Sequence, residues 1–215
     1  MGETRKLAAI LVSDVVGYSR LTGADEDRIL ARLQALRSDL IDPTIAVHHG
    51  RVVKRTGDGA IVEFRSVVDA VNCALEIQKA MVERNAEVAP DKRIEFRIGI
   101  HLGDVVEESD GDLMGDGVNI AARLEGVAKP GAICLSEDAY RQVRGRLELK
   151  VSDLGATQLK NIAQPIRVRR THTPQRSSNA RRMRCRSPDS QEAGCRRLGR
   201  DNLGLARSAP SLARQ

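Results

Sequence analysis

The chain has 215 residues, 41% hydrophobic and 30% charged, a composition typical of a globular protein with room for one sizeable core. The formal charge of +6 is uneven: residues 171–215 contain ten arginines and three acidic residues, whereas residues 1–170 contain 25 basic and 26 acidic residues. The basic character therefore belongs to the C-terminal segment and does not indicate a nucleic-acid or membrane surface on the folded part.

The cysteine spacing and the hydropathy of the chain bear on where in the cell the protein is located. None of the four cysteines has the paired short spacing of a zinc site, and Cys73 and Cys134 lie in apolar surroundings that predict buried thiols. Residues 1–6 are polar, and the apolar run 7–12 is too short for a signal peptide. No run approaches the roughly 18 apolar residues of a membrane span. We therefore expect a cytoplasmic protein without a membrane span.

The first half of the chain alternates between strand and helix patterns. The predicted elements are a buried strand over 6–13, a helix over 25–41 that Pro43 ends, strands over 50–54 and 60–64, and a helix from the N-cap Ser66 to about residue 85. The turn Gly57-Asp58-Gly59 joins the two middle strands, and this pattern is typical of a β-hairpin.

The second half continues the alternation. It predicts a strand over 94–106 with one buried face, an acidic loop over 107–117, a helix over 118–127, a strand over 132–135, a helix from Ser136 to 143, and late strands over 147–154 and 166–169. Strands and helices thus alternate around a central hairpin. This order predicts a ferredoxin-like α/β sandwich, with helices packed on a sheet that contains antiparallel strands.

Composition changes abruptly near residue 170. Serine, arginine, proline and glycine replace the periodic apolar pattern, which predicts that residues 171–215 are a disordered or weakly structured tail or linker. This basic segment has no interleaved aromatic residues and no predicted folded platform, so nucleic-acid binding is not expected.

Two aspartates stand at the ends of apolar, β-branched runs. Asp14 ends the first strand, and the small-residue loop after it, with Gly17, Tyr18 and Ser19, can offer backbone N–H groups to phosphate. Asp58 lies in the hairpin turn. Taken alone, Asp14 is equally typical of a helix cap, and Asp-Gly is a common turn pair. Together the two carboxylates suit a Mg²⁺ site that substrate phosphates complete.

Three further side chains carry suitable chemistry. Lys54, near the hairpin, can donate to a nucleobase nitrogen, although it could also be a solvated strand-edge lysine. Asn119 and Arg123 lie four residues apart on one polar helix face, where Arg123 suits a phosphate oxygen and Asn119 a ribose or ring oxygen. The alternative is a surface Asn–Arg pair on an amphipathic helix.

Taken together, these motifs resemble the catalytic domain of class III adenylate and guanylate cyclases, most closely that of bacterial adenylate cyclases. The resemblance rests on three motifs in the family's order: Asp14-x-x-Gly17-Tyr18-Ser19, Lys54-x-x-Gly57-Asp58-Gly59 and Asp112-x-x-Gly115-x-x-Val118-Asn119-x-Ala121-x-Arg123-Leu124. It indicates a cyclase catalytic domain over about 5–170, followed by the basic segment 171–215.

The resemblance implies conversion of ATP to 3′,5′-cyclic AMP and pyrophosphate at the interface of a head-to-tail homodimer. Asp14 and Asp58 of one subunit would hold two Mg²⁺ or Mn²⁺ ions. The other subunit would read adenine with Lys54 and Asp112, and would contribute Asn119 and Arg123 to orient the ribose and stabilise the transition state. Lys160 resembles, more loosely, the family's late phosphate-binding lysine.

The Lys54–Asp112 pair favours ATP over GTP on chemical grounds. Asp112 can accept a hydrogen bond from adenine N6, and Lys54 can donate to N1. Guanine would better suit a glutamate at position 54 and a smaller residue at position 112. Asp110 and Asp116 are rivals in the same loop, and Asp112 is preferred because it lies seven residues before Asn119.

Two other functions stay open: a non-catalytic nucleotide-binding regulatory dimer of the same fold, and a guanylate cyclase. The Gly-Gly-Asp/Glu-Glu-Phe signature of diguanylate cyclases is absent from the sequence. Some family members carry an arginine where Asp104 follows Gly103, so the resemblance implies one phosphate-binding cation fewer in this chain.

Overall fold

The computed structural model describes residues 4–171 of the protein. Within this range an eight-stranded sheet carries helices on both faces. The strands are Thr4–Val15 (β1), Arg51–Thr56 (β2), Gly59–Phe64 (β3), Phe96–Glu107 (β4), Leu113–Met114 (β5), Ile133–Ser136 (β6), Val151–Thr157 (β7) and Ile166–Thr171 (β8). The helices are Tyr18–Ala24 (α1), Glu26–Leu36 (α2), Asp42–Val47 (α3), Val67–Arg84 (α4), Asp116–Val127 (α5) and Glu137–Val143 (α6).

Four antiparallel strands form the ferredoxin-like core. Their order across the sheet is β2-β3-β1-β4, and the helices between β1 and β2 and between β3 and β4 complete a βαββαβ unit. The predicted fold class is thereby confirmed. Beyond β4 the sheet continues as β6-β8-β7, with β6 parallel to β4, while the short β5 pairs with the far end of β4.

Strand β1 lies inside the sheet and is covered on both faces. Ala9, Leu11 and Val15 pack in the cluster that α4 covers, whereas Ala8 and Ile10 pack on the opposite side, toward α5. A strand buried on both faces reads as a continuous apolar run, which is why this segment was predictable. Cys73 and Cys134 are both fully buried, as predicted.

Helix α4 begins where the sequence predicts. The Ser66 hydroxyl accepts hydrogen bonds from the amides of Val68 and Asp69, which satisfies donors that have no partner within the helix. Its buried Gln78 donates to the carbonyl of Phe96, so the helix is fastened to the start of β4 by a polar bond as well as by apolar packing.

The prediction that the helix over 25–41 ends at Pro43 is wrong. A π-helical turn at Arg37–Ile41 follows α2, and helix continues through Pro43 to Val47. The amide of Asp42 donates to the carbonyl of Arg37, five residues back, so the hydrogen-bond register has changed before the proline. Pro43 therefore stands in a first turn, where a missing N–H costs little.

Three smaller differences have physical reasons. The predicted loop 107–117 contains β5, and α1 was not predicted because Leu21 is its only buried residue. The strand predicted over 147–154 lies instead at Val151–Thr157. Leu147 and Leu149 pack against the core from a turn, without strand pairing, so their apolar character led to a strand being predicted in the wrong place.

In the described range, no helix combines the length and apolar character needed to cross a membrane.

Candidate active site

Asp14 and Asp58 lie together at one end of the central strands. Asp14 is the penultimate residue of β1, and Asp58 stands in the turn between β2 and β3. The Asp58 carboxyl group lies close enough to the Asp14 side chain and to the backbone of Val15 for both to shift its pKa. Asp14 is not a helix cap, because Gly17 occupies the N-cap of α1 and no side chain caps that helix.

The carboxylate pair is chemically suited to a divalent cation. Burial, and then the neighbouring Asp14, raise the pKa of Asp58, so bringing both carboxylates to full charge is unfavourable without a cation. Among residues 4–171, no cluster of three or more Asp, Glu, His or Cys side chains has the arrangement of a metal site. The protein would therefore supply two carboxylates, and phosphate and water oxygens would complete the shell that Mg²⁺ prefers.

Arg37 stabilises the turn that contains Asp58 through a hydrogen bond. This half-buried arginine opens the π-helical turn, and its guanidinium donates to the carbonyl of Gly57. Gly57 has a left-handed backbone with φ of 72°, which glycine adopts without strain. The unpredicted π-helical turn thus holds one of the two carboxylates in place.

The loop after Asp14 presents free backbone donors. Gly17 is left-handed, with φ of 64°, and α1 begins directly after it. The first amides of a helix have no acceptor within that helix, so the amides of Tyr18 and Ser19 are available to an anion. The predicted substrate-binding loop directly follows the end of β1 and so lies beside the carboxylate pair.

Lys54 and Asp112 form an ion pair within the same chain. The Lys54 Nζ lies 2.5 Å from Asp112 Oδ2, and the Leu113 amide donates to the other carboxylate oxygen. A β-bulge makes this pairing possible: Val52 faces Val62 and Lys54 faces Ile61, so Val53 is an extra residue in β2. The bulge turns Lys54 to the α5 side of the sheet, where Ile61 packs.

Arg51 fastens the loop that carries Asp112. Its guanidinium binds the Glu63 and Glu107 carboxylates and donates to the carbonyl of Gly111. Lys6 completes the group by pairing with the same two glutamates. This charged network joins the first four strands and positions Gly111, which directly precedes Asp112.

The remaining predicted residues lie on and near α5. Asn119 and Arg123 are exposed on the outer side of the helix, as their spacing suggests, and Ala121 and Leu124 are buried toward the sheet. The Arg123 Nε donates to the carbonyl of Lys160 at 3.1 Å. The structure therefore brings Arg123 and Lys160 together on one exposed surface.

The predicted site residues form three separate groups in one chain: the carboxylate pair, the Lys54–Asp112 pair, and the surface with Asn119, Arg123 and Lys160. No hydrogen bond or ion pair between described residues joins the carboxylate pair directly to either other group. Each group is organised locally, and the last two are exposed enough to meet another molecule.

Two residues that the sequence patterns do not single out join the carboxylate pair. Arg97, on β4, faces Asp14 in register and donates from Nη2 to Asp14 Oδ2 at 2.7 Å. Its Nε lies 2.8 Å from Glu125 Oε1, although neither atom makes a hydrogen bond in the described range. The contact is therefore an electrostatic one between two buried atoms of otherwise partly exposed side chains. The alternation of β4 placed Arg97 opposite its apolar face, but only the strand register identifies Asp14 as its partner.

Glu125 gives a pH-dependent prediction. Burial raises its pKa to about 7, Asp14 and Asp58 act in the same direction, and Arg97 opposes them. Because the folded chain keeps this proton while the unfolded chain releases it, stability falls as pH rises from about 4.5 to 7. We expect Glu125→Gln to remove this loss and to raise the free energy of unfolding by about 2 kcal/mol at pH 8, with little effect at pH 4.5.

Urea denaturation of the metal-free protein across this pH range measures the effect. The same exchange at the exposed Glu87 controls for the substitution itself. A difference between the Glu125→Gln and unmodified chains that did not grow with pH would contradict the assignment of a proton to Glu125.

Comparisons with known proteins identify the class. Residues 3–172 match the family model described as the adenylate and guanylate cyclase catalytic domain, and the chain belongs to that family. Cyclases of this family generally use divalent metal ions, and the carboxylate pair suits such an ion.

Individual relatives and solved structures are similar to most of the chain. It is 45% identical over 164 residues to a putative adenylate cyclase 3 of Rhizobium meliloti, a match that covers 76% of this chain and 28% of that protein. A crystal structure of an adenylate/guanylate cyclase/hydrolase from Silicibacter pomeroyi is 46% identical, with a TM-score of 0.72, covering 78% of this chain and 97% of that one. The adenylyl cyclase CyaB from P. aeruginosa, at 22% identity and a TM-score of 0.70, shares the fold over 82% of this chain and 98% of its own. The chain spans about a quarter or less of the length of the first curated relatives it matches.

Proposed function

We propose that the protein is an adenylate cyclase that converts ATP to 3′,5′-cyclic AMP and pyrophosphate at the interface of a homodimer. The observation that carries the proposal is the coexistence of two preformed half-sites in one chain. The carboxylate pair lies beside the loop of Gly17 at one place, and the Lys54–Asp112 ion pair lies at another. A second copy of the chain would supply the half that each lacks.

The carboxylate half-site would receive the triphosphate. Asp14 and Asp58 would hold Mg²⁺ or Mn²⁺, two ions per site, and the amides of Tyr18 and Ser19 would donate to phosphate oxygens. When bound, such ions lower the pKa of the ribose 3′-hydroxyl and neutralise charge on the phosphates. The side chains otherwise orient the substrate, so the chemistry depends on placement and charge.

The partner copy would supply the remaining groups. Lys54 and Asp112 would donate to adenine N1 and accept from N6. Arg123, which already contacts the backbone carbonyl of Lys160, and the Lys160 side chain would place positive charge beside the phosphates, and Asn119 would orient the ribose. Asp112 is partly exposed and the other four residues are exposed in the single chain. This exposure supports the assignment, because residues that serve another subunit must be accessible.

Two alternative functions would use some of the same residues. A guanylate cyclase would share the metal half-site, and a non-catalytic regulatory dimer would bind nucleotide without turnover. The ion pair favours adenine, because a lysine and a carboxylate match its N1 acceptor and N6 donor. The presence of both a carboxylate pair and an exposed arginine–lysine surface favours turnover over binding alone.

Product analysis tests the proposal. Incubated with Mn²⁺ and ATP or GTP, the unmodified chain is expected to form cyclic AMP at least about 10-fold faster than cyclic GMP, since mismatched base hydrogen bonds cost roughly 1–3 kcal/mol. We expect Lys54→Glu combined with Asp112→Ser to reduce that ratio at least about 10-fold, whereas Lys150→Glu, an exposed control, leaves it unchanged. Nucleotide binding without either product would favour the regulatory dimer, and predominant cyclic GMP the guanylate cyclase.

A further inference from the structure

Three charged side chains form a continuous chain behind the proposed metal half-site. Arg97 lies between Asp14 on β1 and Glu125 on α5, at 2.7 Å from one carboxylate and 2.8 Å from the other. The Asp14 and Arg97 side chains keep about a third of their surface exposed, whereas Glu125 keeps 12%. The guanidinium therefore touches a proposed metal ligand directly, and its own counter-charge is more deeply buried.

The packing of α5 on β4 explains why Glu125 reaches Arg97. Gly99 lies two residues beyond Arg97 on the same face of β4. A Cβ at position 99 would lie 2.3 Å from both the Ala121 carbonyl oxygen and the Glu125 amide nitrogen. Only glycine permits so close an approach of helix to sheet. The close approach brings the Glu125 backbone down onto the strand that carries Arg97.

A cation this close to a metal ligand has two opposing effects. Arg97 binds Oδ2 of Asp14, which fixes the carboxylate and leaves Oδ1 for another partner. Its positive charge, however, also repels a divalent cation. Above pH 7, where Glu125 is ionised, it offsets that charge. The three ionised carboxylates and one guanidinium of Asp14, Asp58, Glu125 and Arg97 then sum to −2, which one divalent cation balances.

We propose that Arg97 is a positioning residue for Asp14, and that Glu125 is the counter-charge that lets Arg97 hold this carboxylate without driving a divalent cation away. The inference rests on the proposed function, since it assigns these residues to the metal half-site of the cyclase. It extends that site by two residues that act through Asp14 and touch neither the substrate nor the ion.

The proposal makes opposite predictions for the two partners. Arg97→Gln removes a positive charge but also the bond to Asp14, so Mn²⁺ is expected to bind as tightly as before or up to several-fold more tightly. The turnover number then falls about 10- to 100-fold, because the carboxylate loses its orientation. Glu125→Gln leaves Arg97 uncompensated, so the Mn²⁺ dissociation constant is expected to rise about 10-fold. The double variant should bind Mn²⁺ about as the unmodified chain does and stay slow.

Mn²⁺ titration followed by electron paramagnetic resonance, at about pH 8.5 and without nucleotide, measures the affinity independently of activity. Arg167→Gln, which breaks an exposed ion pair with Asp153, is the matched control and should change neither affinity nor turnover. Thermal unfolding reports whether each variant is folded. Should Arg97→Gln not fold, Arg97→Lys serves in its place: it keeps the charge, so Mn²⁺ affinity should stay within about twofold while turnover falls.

Several outcomes would overturn the proposal. These are a folded Arg97→Gln that binds Mn²⁺ more weakly, a Glu125→Gln with unchanged affinity, or an unmodified chain that binds no Mn²⁺ at all. Weakening of both variants in parallel would indicate a merely structural pair. The titration separates this inference from the proposed function. If no cyclic nucleotide forms, but Glu125→Gln binds Mn²⁺ more weakly and Arg97→Gln does not, the cyclase assignment fails and the charge arrangement stands.

Discussion

Replacing Asp58 by asparagine is expected to lower cyclase activity by at least about 10³-fold while leaving the protein as stable as before, or more stable. Activity falls because the amide has the shape of the carboxylate without its charge, so the pair retains one negative group where two should hold the divalent ions. Stability does not fall, because burial and Asp14 raise the pKa of Asp58 in the folded chain. Removing this charge relieves an unfavourable contact above pH 4.

This combination distinguishes a functional carboxylate from a structural one. Asp153→Asn is the matched control, since Arg167 and the backbone of Gly155 lower the pKa of Asp153 to about 2. Its loss should reduce stability slightly at neutral pH and leave activity intact. Initial rates with Mn²⁺-ATP and thermal unfolding at pH 8 measure both effects. More than a tenth of the activity surviving in folded Asp58→Asn would remove the carboxylate pair from the proposed metal site.

The parts of the fold that sequence predicted are those in which local pattern and tertiary burial agree. The apolar run of β1 corresponds to a strand covered on both faces, the Gly57-Asp58-Gly59 turn to a hairpin, and Ser66 to the N-cap of α4. In each case a short-range signal suffices, because the turn, the cap or the burial pattern is complete within a few residues.

The parts that sequence did not predict depend on register. A proline usually ends a helix. Before Pro43, however, a π-helical turn changes the carbonyl to which each amide donates its hydrogen bond. A bulge at Val53 sends Lys54 to the face of Asp112, and simple alternation would have placed it on the other face. Such one-residue shifts are set by long-range pairing, which no local pattern encodes.

The candidate site shows the same division. The motifs named Asp14, Asp58, Lys54, Asp112, Asn119 and Arg123 by residue type and spacing, and the structure groups them into local clusters. The supporting residues Arg37, Arg51, Arg97 and Glu125 carry no motif of their own. Each contacts a partner at least 20 residues away, and arginines or glutamates at such positions look like ordinary surface charges until the strands are paired.

Mixing two inactive chains should restore activity if the active site is shared between subunits. Asp58→Asn disables the carboxylate half-site, and Arg123→Ala disables the surface that also contains Lys160; each alone should lose at least about 10²-fold in turnover. In a heterodimer of the two, one active site carries both defects and the other carries neither. Random pairing makes half of the dimers mixed, so coexpression should recover about a quarter of the unmodified activity.

The structure motivates this prediction because Arg123 points outward from α5, and no described contact directs it to the carboxylates of its own chain. Coexpression of Asp14→Asn with Asp58→Asn is the matched control. Both changes fall in the same half-site, so every subunit lacks a carboxylate and no pairing yields an intact site. Tandem purification through two different affinity tags isolates the mixed dimer, whose activity should then approach half that of the unmodified dimer. If each site lay within one chain, both mixtures would stay inactive. Activity recovered only in the mixture of Asp58→Asn with Arg123→Ala would show that the Asp58 and Arg123 of one site come from different subunits.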